Sequence, residues 1–246
     1  WAPEVQRVGD RYFLYYVNVM TGGADAEIGN KDIAVVGSAN PLDFRGGRST
    51  ILLDGDYAFI DPSPFVDPSD DQAYLLYKFR GEFGTGSLVR IRPMSGPRAF
   101  NGESTRLVHS DDVPNSFNIV EHPMMIRRGG MYFFLFSAGN GADSTYRIAY
   151  MTGDRPTGPF TRLTTLFRSD ADLSGDPSRS VIAPGAPSIV RDGAGADWMV
   201  YRQKSTLTDT FAERQVCIDA IDIQPARRRI VGEATKGRRL PAPTPR

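Results

Sequence analysis

The sequence predicts an all-β protein, and within that class a β-propeller. Two observations lead to this prediction. Aromatic strand patterns recur about every 60 residues along the chain, and 25 glycines and 18 prolines interrupt it too often for long helices. Four copies of the recurring unit can be read, the first of which starts at residue 1.

Each copy has the same three parts in the same order. A short proline-containing segment comes first: WAPEV, IDPSPFV, EHPMMI and GAPSIV. An aromatic strand follows, GDRYFLYYV, DQAYLLYKF, GGMYFFLFSA and GADWMVYRQ, with aromatic residues 12, 74, 132 and 198 at intervals of 62, 58 and 66 residues. An alternating run closes the unit, as in KDIAVVGSANPLDF and GSLVRIRPM. These parts form a small antiparallel meander, which is a propeller blade. A β-sandwich is the alternative, but it gives no reason for proline-led strands to recur at this period.

The chain divides into two parts on this interpretation. Residues 1–224 are expected to form the propeller, incomplete at its N-terminus, and residues 225–246 a closing strand, RRIVGEA, followed by a tail rich in arginine and proline. The arginines of this tail are expected to form a solvated edge.

Composition narrows the class of ligand. Lys plus Arg and Asp plus Glu both number 29, so the net charge is zero and no overall field favours nucleic acid or an anionic membrane. A neutral ligand fits better.

The lone cysteine, Cys217, is expected to be a buried small hydrophobe. The two histidines, His109 and His122, do not make a zinc cluster, and we predict neither a metal nor another cofactor. Oligomeric state is left open.

Two acidic residues stand before the prolines of the second and third copies. Asp61 lies in FIDPSPF and Glu121 in IVEHPMM, and both have apolar neighbours that exclude water and can raise the pKa of a carboxylic acid. The first strand of every propeller blade lines the central channel, so residues at a shared repeat position should converge. We therefore expect both carboxylates in one cavity, where one could protonate a leaving oxygen and another could activate water. For either acid alone, a turn or strand-end cap is the alternative.

The same segments resemble glycoside hydrolase family 43. WAPEV with DRYFLYYV, IDPSPFVDPSDDQAYLLY, VEHPMMIRRGGMYFFLFSAG, YRIAYMTGDRPTGPF, APGAPSIVRDGAGADWMVYR and the arginine of ERQVCIDAIDI match that family in the right order. The resemblance implies a five-bladed propeller whose first blade is largely missing here. It also implies an inverting glycosidase acting on α-L-arabinofuranosyl or β-D-xylosyl linkages of plant-type polysaccharides or oligosaccharides.

The resemblance assigns roles residue by residue. Glu121 would be the general acid, Asp61 would orient it and adjust its pKa, Trp1 would form part of the sugar-binding wall, and Arg214 would reach the substrate near the cleaved bond. His122, where the family usually has glycine, is adjacent to the acid and could line the pocket or tune it. An inverting acid and base should lie about 6.5–9.5 Å apart.

Two departures from the family pattern are visible. The family's general base is an aspartate before the Trp-Ala-Pro segment, so we expect residues 1–246 to lack it, and Asp10 sits in a turn and cannot replace it. Ala186 stands where many relatives carry a histidine that helps to hold a cation, and alanine offers no ligand atom. A non-catalytic carbohydrate-binding propeller, or a scaffold with an empty channel, therefore stays open as an alternative. No secretion signal is present, although secretion is slightly favoured for an enzyme that meets polymers.

Overall fold

The computed structural model describes residues 1–19, 31–55, 58–80, 86–170, 180–204, 214–235 and 243–244. The prediction of an all-β propeller is confirmed. Seventeen strands and two short 3-10 helices, Ser110–Asp112 and Pro225–Arg227, make up the regular structure of these residues. None of the helices there is long and apolar enough to cross a membrane.

The strands form four antiparallel meanders in chain order, one for each copy read from the sequence. The first blade contains β1 (Glu4–Val8), β2 (Arg11–Val19), β3 (Lys31–Ser38) and β4 (Ser49–Leu53). The second contains β5 (Ala58–Val66), β6 (Ala73–Arg80), β7 (Ser87–Gly96) and β9 (Thr105–His109), with the short β8 (Ala99–Phe100) also on β7. The third contains β10 (Val120–Arg128), β11 (Met131–Ala138), β12 (Arg147–Gly153) and β13 (Thr161–Arg168). The fourth contains β14 (Gly185–Arg191), β15 (Asp197–Lys204), β16 (Arg214–Gln224) and β17 (Arg229–Gly232).

Apolar cores lie between successive blades and hold the meanders side by side. Strand β11 shows how one strand serves two cores. Its residues Phe134 and Phe136 pack in the cluster shared with the second blade, whereas Phe133 and Leu135 pack in the cluster shared with the fourth. Alternate side chains of a strand point to opposite faces, so burial on both faces requires the continuous apolar run that the sequence has here.

The first and second blades are joined within one sheet. A single parallel pair, Lys31 with Ala58, connects β3 to β5. The two blades also share a core that includes Phe13 and Ile33 of the first blade and Leu75 and Tyr77 of the second.

The predicted closing strand is present as β17, which is the outermost strand of the fourth blade. It pairs antiparallel with β16, with Ile221 opposite Gly232 at one end of the ladder and Gln224 opposite Arg229 at the other. Most of the arginine- and proline-rich tail, residues 236–242 and 245–246, lies outside the described residues.

Candidate active site

The proline-led segments of all four blades meet at one cavity of about 310 Å³. Its wall is built from the residue before each proline and the proline itself, together with two charged side chains. The lining residues are Ala2, Pro3, Glu4, Asp61, Pro62, His122, Pro123, Ala186, Pro187 and Arg202. This convergence confirms the expectation that the inner strands bring distant segments together.

The residue before each proline shares an unusual backbone conformation, which directs it toward the cavity. Ala2, Asp61, His122 and Ala186 all have positive φ angles, 42°, 56°, 49° and 54°, which is uncommon for residues other than glycine. In β5, β10 and β14 the ladder register also shifts at this point. Proline has no N–H to donate to the ladder, so a bulge at the X-Pro pair avoids a broken hydrogen bond and re-aims the residue before it.

This backbone conformation shows that one sequence-based prediction, the shared repeat position of Asp61 and Glu121, is wrong. Asp61 and Glu121 do not share a repeat position, because Asp61 directly precedes its proline and so corresponds to His122. Glu121 lies one residue earlier and corresponds to Ile60. In the sequence alone, the acid nearest each proline looks equivalent in the two copies, but the bulge makes the two neighbouring positions distinct.

The two carboxylates nevertheless come together, with His122 beside both. One ligand-type atom from each of Asp61, Glu121 and His122 lies within 4.8 Å of the others. The backbone N–H of His122 donates to Asp61 Oδ2 at 3.1 Å. The His122 ring lies between the carboxylates, with Nε2 3.5 Å from Asp61 Oδ1 and Nδ1 3.6 Å from Glu121 Oε1. Asp61 therefore fixes the segment that carries Glu121.

Both oxygens of Glu121 are engaged. Lys78 Nζ donates to Oε2 at 2.6 Å, and the Tyr146 hydroxyl donates to Oε1 at 2.6 Å. Burial raises the pKa of Glu121, but the Lys78 ammonium and His122 outweigh it and hold that pKa well below its ordinary value. The expectation of a raised pKa is wrong for Glu121, because the sequence shows the burial that raises this pKa but not the Lys78 ammonium that opposes it.

Tyr146 is the other fixed partner of Glu121. Burial, and then the Glu121 charge, raise the pKa of the Tyr146 phenol well above its ordinary value, so the hydroxyl stays a donor. Its ring lies against Gly185, where an added Cβ would be 1.9 Å from the ring atom Cε1. Only glycine leaves room there for the tyrosine that holds the carboxylate.

Arg214 lies near the carboxylate, whereas Trp1 lies outside the cavity lining. Burial lowers the pKa of Arg214, Arg202 lowers it further, and the charges of Tyr146 and Glu121 oppose this. Arg214 also donates to the carbonyl of Gly141 at 3.3 Å. Trp1 is 62% exposed, with the Lys31 ammonium 4.3 Å from the centre of one of its rings.

Four charged or polar residues of this site were missed from the sequence. They are Glu4, Lys78, Tyr146 and Arg202. A lysine inside the apolar run AYLLYKF was a usable signal for Lys78, since a buried ammonium needs a partner. Glu4, Tyr146 and Arg202 carried no comparable signal, because their convergence depends on how loops and blades pack.

The donor set could hold a metal by distance alone. Asp61, Glu121 and His122 offer suitable atoms, and Ala186 offers none. However, Lys78 already neutralises Glu121, and Arg202 contacts His122 Nε2 at 3.4 Å. These cations disfavour a divalent ion, so the absence of a metal stays a prediction based on charge.

A larger cavity of about 730 Å³ lies elsewhere, between the first and second blades. Its polar groups are largely occupied by the chain itself. The Tyr15 hydroxyl donates to the Pro97 carbonyl, and the Gln72 amide donates to the carbonyls of Ala73 and Met94. The smaller cavity is the better candidate, because carboxylates of two blades, Glu4 and Asp61, line it, whereas Asp70 and Asp71 of the larger cavity both belong to the second blade.

The fold and this cavity define a propeller that gathers acidic residues from separate blades at its centre. The chain belongs to the glycosyl hydrolases family 43, whose sequence profile matches residues 1–226. This membership confirms the resemblance read from the sequence.

Individual relatives show the same affiliation. The chain is 34% identical over 103 residues to a β-D-galactofuranosidase of Aspergillus niger, covering 41% of this chain and 28% of the relative. It is 26% identical over 163 residues to an extracellular endo-α-(1→5)-L-arabinanase of Bacillus subtilis, covering 65% and 48%. The chain thus spans less than half the length of these two relatives.

Solved structures agree on the fold. A thermostable family-43 glycoside hydrolase superposes with a TM-score of 0.82 at 22% identity, covering all of this chain and 78% of that structure. An α-L-arabinofuranosidase from Lactobacillus brevis superposes with a TM-score of 0.75 at 17% identity, covering 99% and 76%. The five-bladed count, with a first blade missing from residues 1–246, stays a prediction.

Proposed function

We propose that this chain carries the general acid of an inverting glycoside hydrolase that cleaves α-L-arabinofuranosyl or β-D-xylosyl linkages in plant-type polysaccharides or their oligosaccharides. The observation that carries the proposal is the meeting of Asp61, Glu121 and His122 within 4.8 Å of one another, beside the cavity formed by four proline-led segments. Asp61 and His122 line that cavity, and Glu121 lies directly next to them. The relatives named for arabinan and arabinofuranoside hydrolysis support the substrate class.

Glu121 is the proton donor in this proposal. Tyr146 and Lys78 hold its two oxygens, and Asp61 holds its segment through the His122 N–H. The Lys78 pair favours the ionised form, so donation requires two changes as the sugar enters: the ammonium leaves Oε2, and the carboxylate takes up a proton from water, which it then passes to the leaving oxygen. Catalytic hydrogen bonds of a free enzyme often rearrange on substrate binding, which makes this step reasonable.

Asp61 is a positioning residue and not the base. Its carboxylate lies within 4.8 Å of Glu121, whereas an inverting pair needs about 6.5–9.5 Å to admit water between its members. The family resemblance assigns the base to an aspartate preceding Trp1. Glu4 is the other candidate, since it lines the same cavity and its charge acts on His122.

The test is hydrolysis of aryl α-L-arabinofuranoside, β-D-xyloside and β-D-galactofuranoside, with and without any segment that precedes Trp1 in the gene. Glu121→Gln should lower kcat about 10²–10⁴-fold on the substrate that is cleaved. Glu103→Gln, at an exposed position, is the matched control. Undiminished turnover by Glu121→Gln would show that Glu121 is not the acid. Glu4→Gln in the same assay decides whether Glu4 is the base.

The second candidate is a non-catalytic carbohydrate-binding propeller, and the Lys78–Glu121 ion pair favours it. A carboxylate held ionised by an ammonium at 2.6 Å can accept hydrogen bonds from sugar hydroxyls but cannot protonate a leaving oxygen. This function predicts saturable oligosaccharide binding without turnover. Release of reducing sugar by the wild-type protein, lost in Glu121→Gln, would exclude it.

We also propose that the protein is secreted. The Bacillus subtilis relative is named as extracellular, and a polysaccharide too large to enter a cell must be met outside it. Neither a nucleic acid nor a membrane partner is expected. Detection of the protein in culture supernatant or in the cell fraction tests this.

A further inference from the structure

One cation in the cavity has no carboxylate partner among the described residues. Arg202 lines the wall beside Ala186 and Pro187, and no carboxylate of the described chain lies within salt-bridge distance of it. Its Nε is buried and makes no hydrogen bond within those residues. In the described part of the chain, its terminal nitrogen contacts only His122 Nε2, at 3.4 Å, which is long for a hydrogen bond. A guanidinium whose Nε is buried without a partner is costly unless a ligand completes its hydrogen bonds.

The neighbouring acids do not satisfy this cation. Glu121 is committed to Lys78 and Tyr146, and Asp61 accepts from the His122 N–H. The charge of Arg214 lies close enough to Arg202 for the two to repel. Glu4 is the remaining carboxylate on the cavity wall, and its charge interacts with His122.

The position of Arg202 is set by rigid structure. It lies within β15, where it is paired with Gly185 of β14 on one side and Val216 of β16 on the other. Its neighbour at the cavity, Ala186, presents only a methyl group, so that residue offers no polar partner to the guanidinium. A guanidinium offers a planar fork of donors that matches the two oxygens of a carboxylate.

We propose that Arg202 forms a subsite for the carboxylate of a uronic acid, so that the cavity accepts oligosaccharides in which an acidic sugar lies next to the bound pentose. This inference rests on the proposed function, since it specifies the substrate class of the same cavity. The neutral protein as a whole does not attract anions, so the preference would come from this local cation.

Binding by calorimetry to three matched probes tests the proposal: xylotriose, xylotriose substituted with glucuronic acid, and the methyl ester of the substituted form. The acid should bind about tenfold or more tightly than its ester, because charge-assisted hydrogen bonds are the stronger kind. Arg202→Gln should abolish this difference, and Arg202→Lys should retain part of it, since lysine keeps the charge but loses the fork. Arg106→Gln, at an exposed position on β9, should leave it unchanged.

The outcomes separate this proposal from the proposed function. Equal affinity of wild-type protein for acid and ester overturns the uronate subsite, and cleavage of neutral aryl pentosides would still support the glycosidase. Loss of the acid preference in Arg106→Gln as well as in Arg202→Gln also overturns it. Thermal unfolding of each variant shows whether the fold is intact, and Arg202→Lys provides the second variant if Arg202→Gln unfolds.

Discussion

Strands β5 and β10 use the same backbone to present different chemistry. Both carry a bulge at an X-Pro pair and a residue with positive φ that faces the cavity, yet that residue is Asp61 in one strand and His122 in the other. One residue earlier, β5 has Ile60 and β10 has Glu121. The bulge is thus the constant part of these two strands, whereas the chemistry of the site depends on which of two adjacent positions carries the charge.

Lys78 links the two strands, and removing it should have the largest effect on stability. It is paired with Ile60 in the backbone ladder, but its ammonium, with 8% of the side chain exposed, reaches across to Glu121. Lys78→Met leaves a buried carboxylate without its counter-ion and should lower the free energy of unfolding by about 3–5 kcal/mol. Urea denaturation measures this.

The double variant is the control for that prediction. Lys78→Met with Glu121→Gln removes both charges, so it should recover a large part of the lost stability. If the single and double variants are equally destabilised, the ion pair is not the cause and packing around the lysine is.

Asp61→Ala should have the next largest effect, on catalysis. It removes the oxygen that accepts from the His122 N–H at 3.1 Å, so the segment carrying Glu121 loses its anchor. A displacement of about 1 Å at a catalytic group can lower the rate about 10²-fold. Under the proposed function, kcat on aryl arabinofuranoside should fall by that order, and Asp61→Asn, which keeps an acceptor, should fall less. Equal losses would show that the charge, and not the anchor, matters.

Gly185→Ala tests the part of the site that holds Glu121 from the fourth blade. The new methyl would lie 1.9 Å from the Tyr146 ring, so the ring must move and its hydrogen bond to Glu121 must weaken. Overpacking of this kind lowers the free energy of unfolding by about 1–3 kcal/mol. Gly46→Ala, where an added Cβ meets nothing within 4 Å, is the matched control and should be near neutral. Similar unfolding curves for the two variants would contradict this account.

Acid should weaken the fold through Glu121 itself. The folded protein holds the pKa of this group below its ordinary value, so the unfolded chain binds the proton more readily. The stabilisation is present above the ordinary glutamate pKa and is lost as pH falls through the folded pKa. The slope contributed by one such proton is at most about 1.4 kcal/mol per pH unit. Glu121→Gln should flatten the dependence of unfolding free energy on pH, whereas Glu103→Gln should not.

Substitutions of His122 should have the smallest effect on stability, and they test directly whether the positive φ at the bulge is strained. Its φ of 49° disfavours any side chain with a Cβ, by about 1–2 kcal/mol. His122→Gly and His122→Ala both remove the imidazole, but only glycine relieves the backbone, so the glycine variant should be more stable than the alanine variant by about 1 kcal/mol. Thermal and urea unfolding compare the two. Identical stability would mean that the positive φ carries no strain.

Much of the fold could be predicted from the sequence, because blades are local structures. The proline segment, the aromatic strand and the alternating run of each copy each predict one strand. Successive strands of a blade therefore lie within about 25 residues of one another. Repetition then places equivalent segments at one axis, so Asp61, Glu121 and His122 could be expected to meet. The sequence does not show how the blades pack. For that reason Lys78 and Tyr146 were missed as partners of Glu121, and the direction of its pKa shift was predicted wrongly.

The X-Pro bulge has a consequence for how such proteins diverge. All four copies share a positive φ at the residue before the proline, although the side chains there are a methyl, a carboxylate, an imidazole and another methyl. A single codon change at the residue before one of these prolines can therefore replace a functional group at the cavity without shifting a strand. Proteins that descend from one ancestor can therefore acquire new reactions by point mutation at these four positions while keeping the same fold.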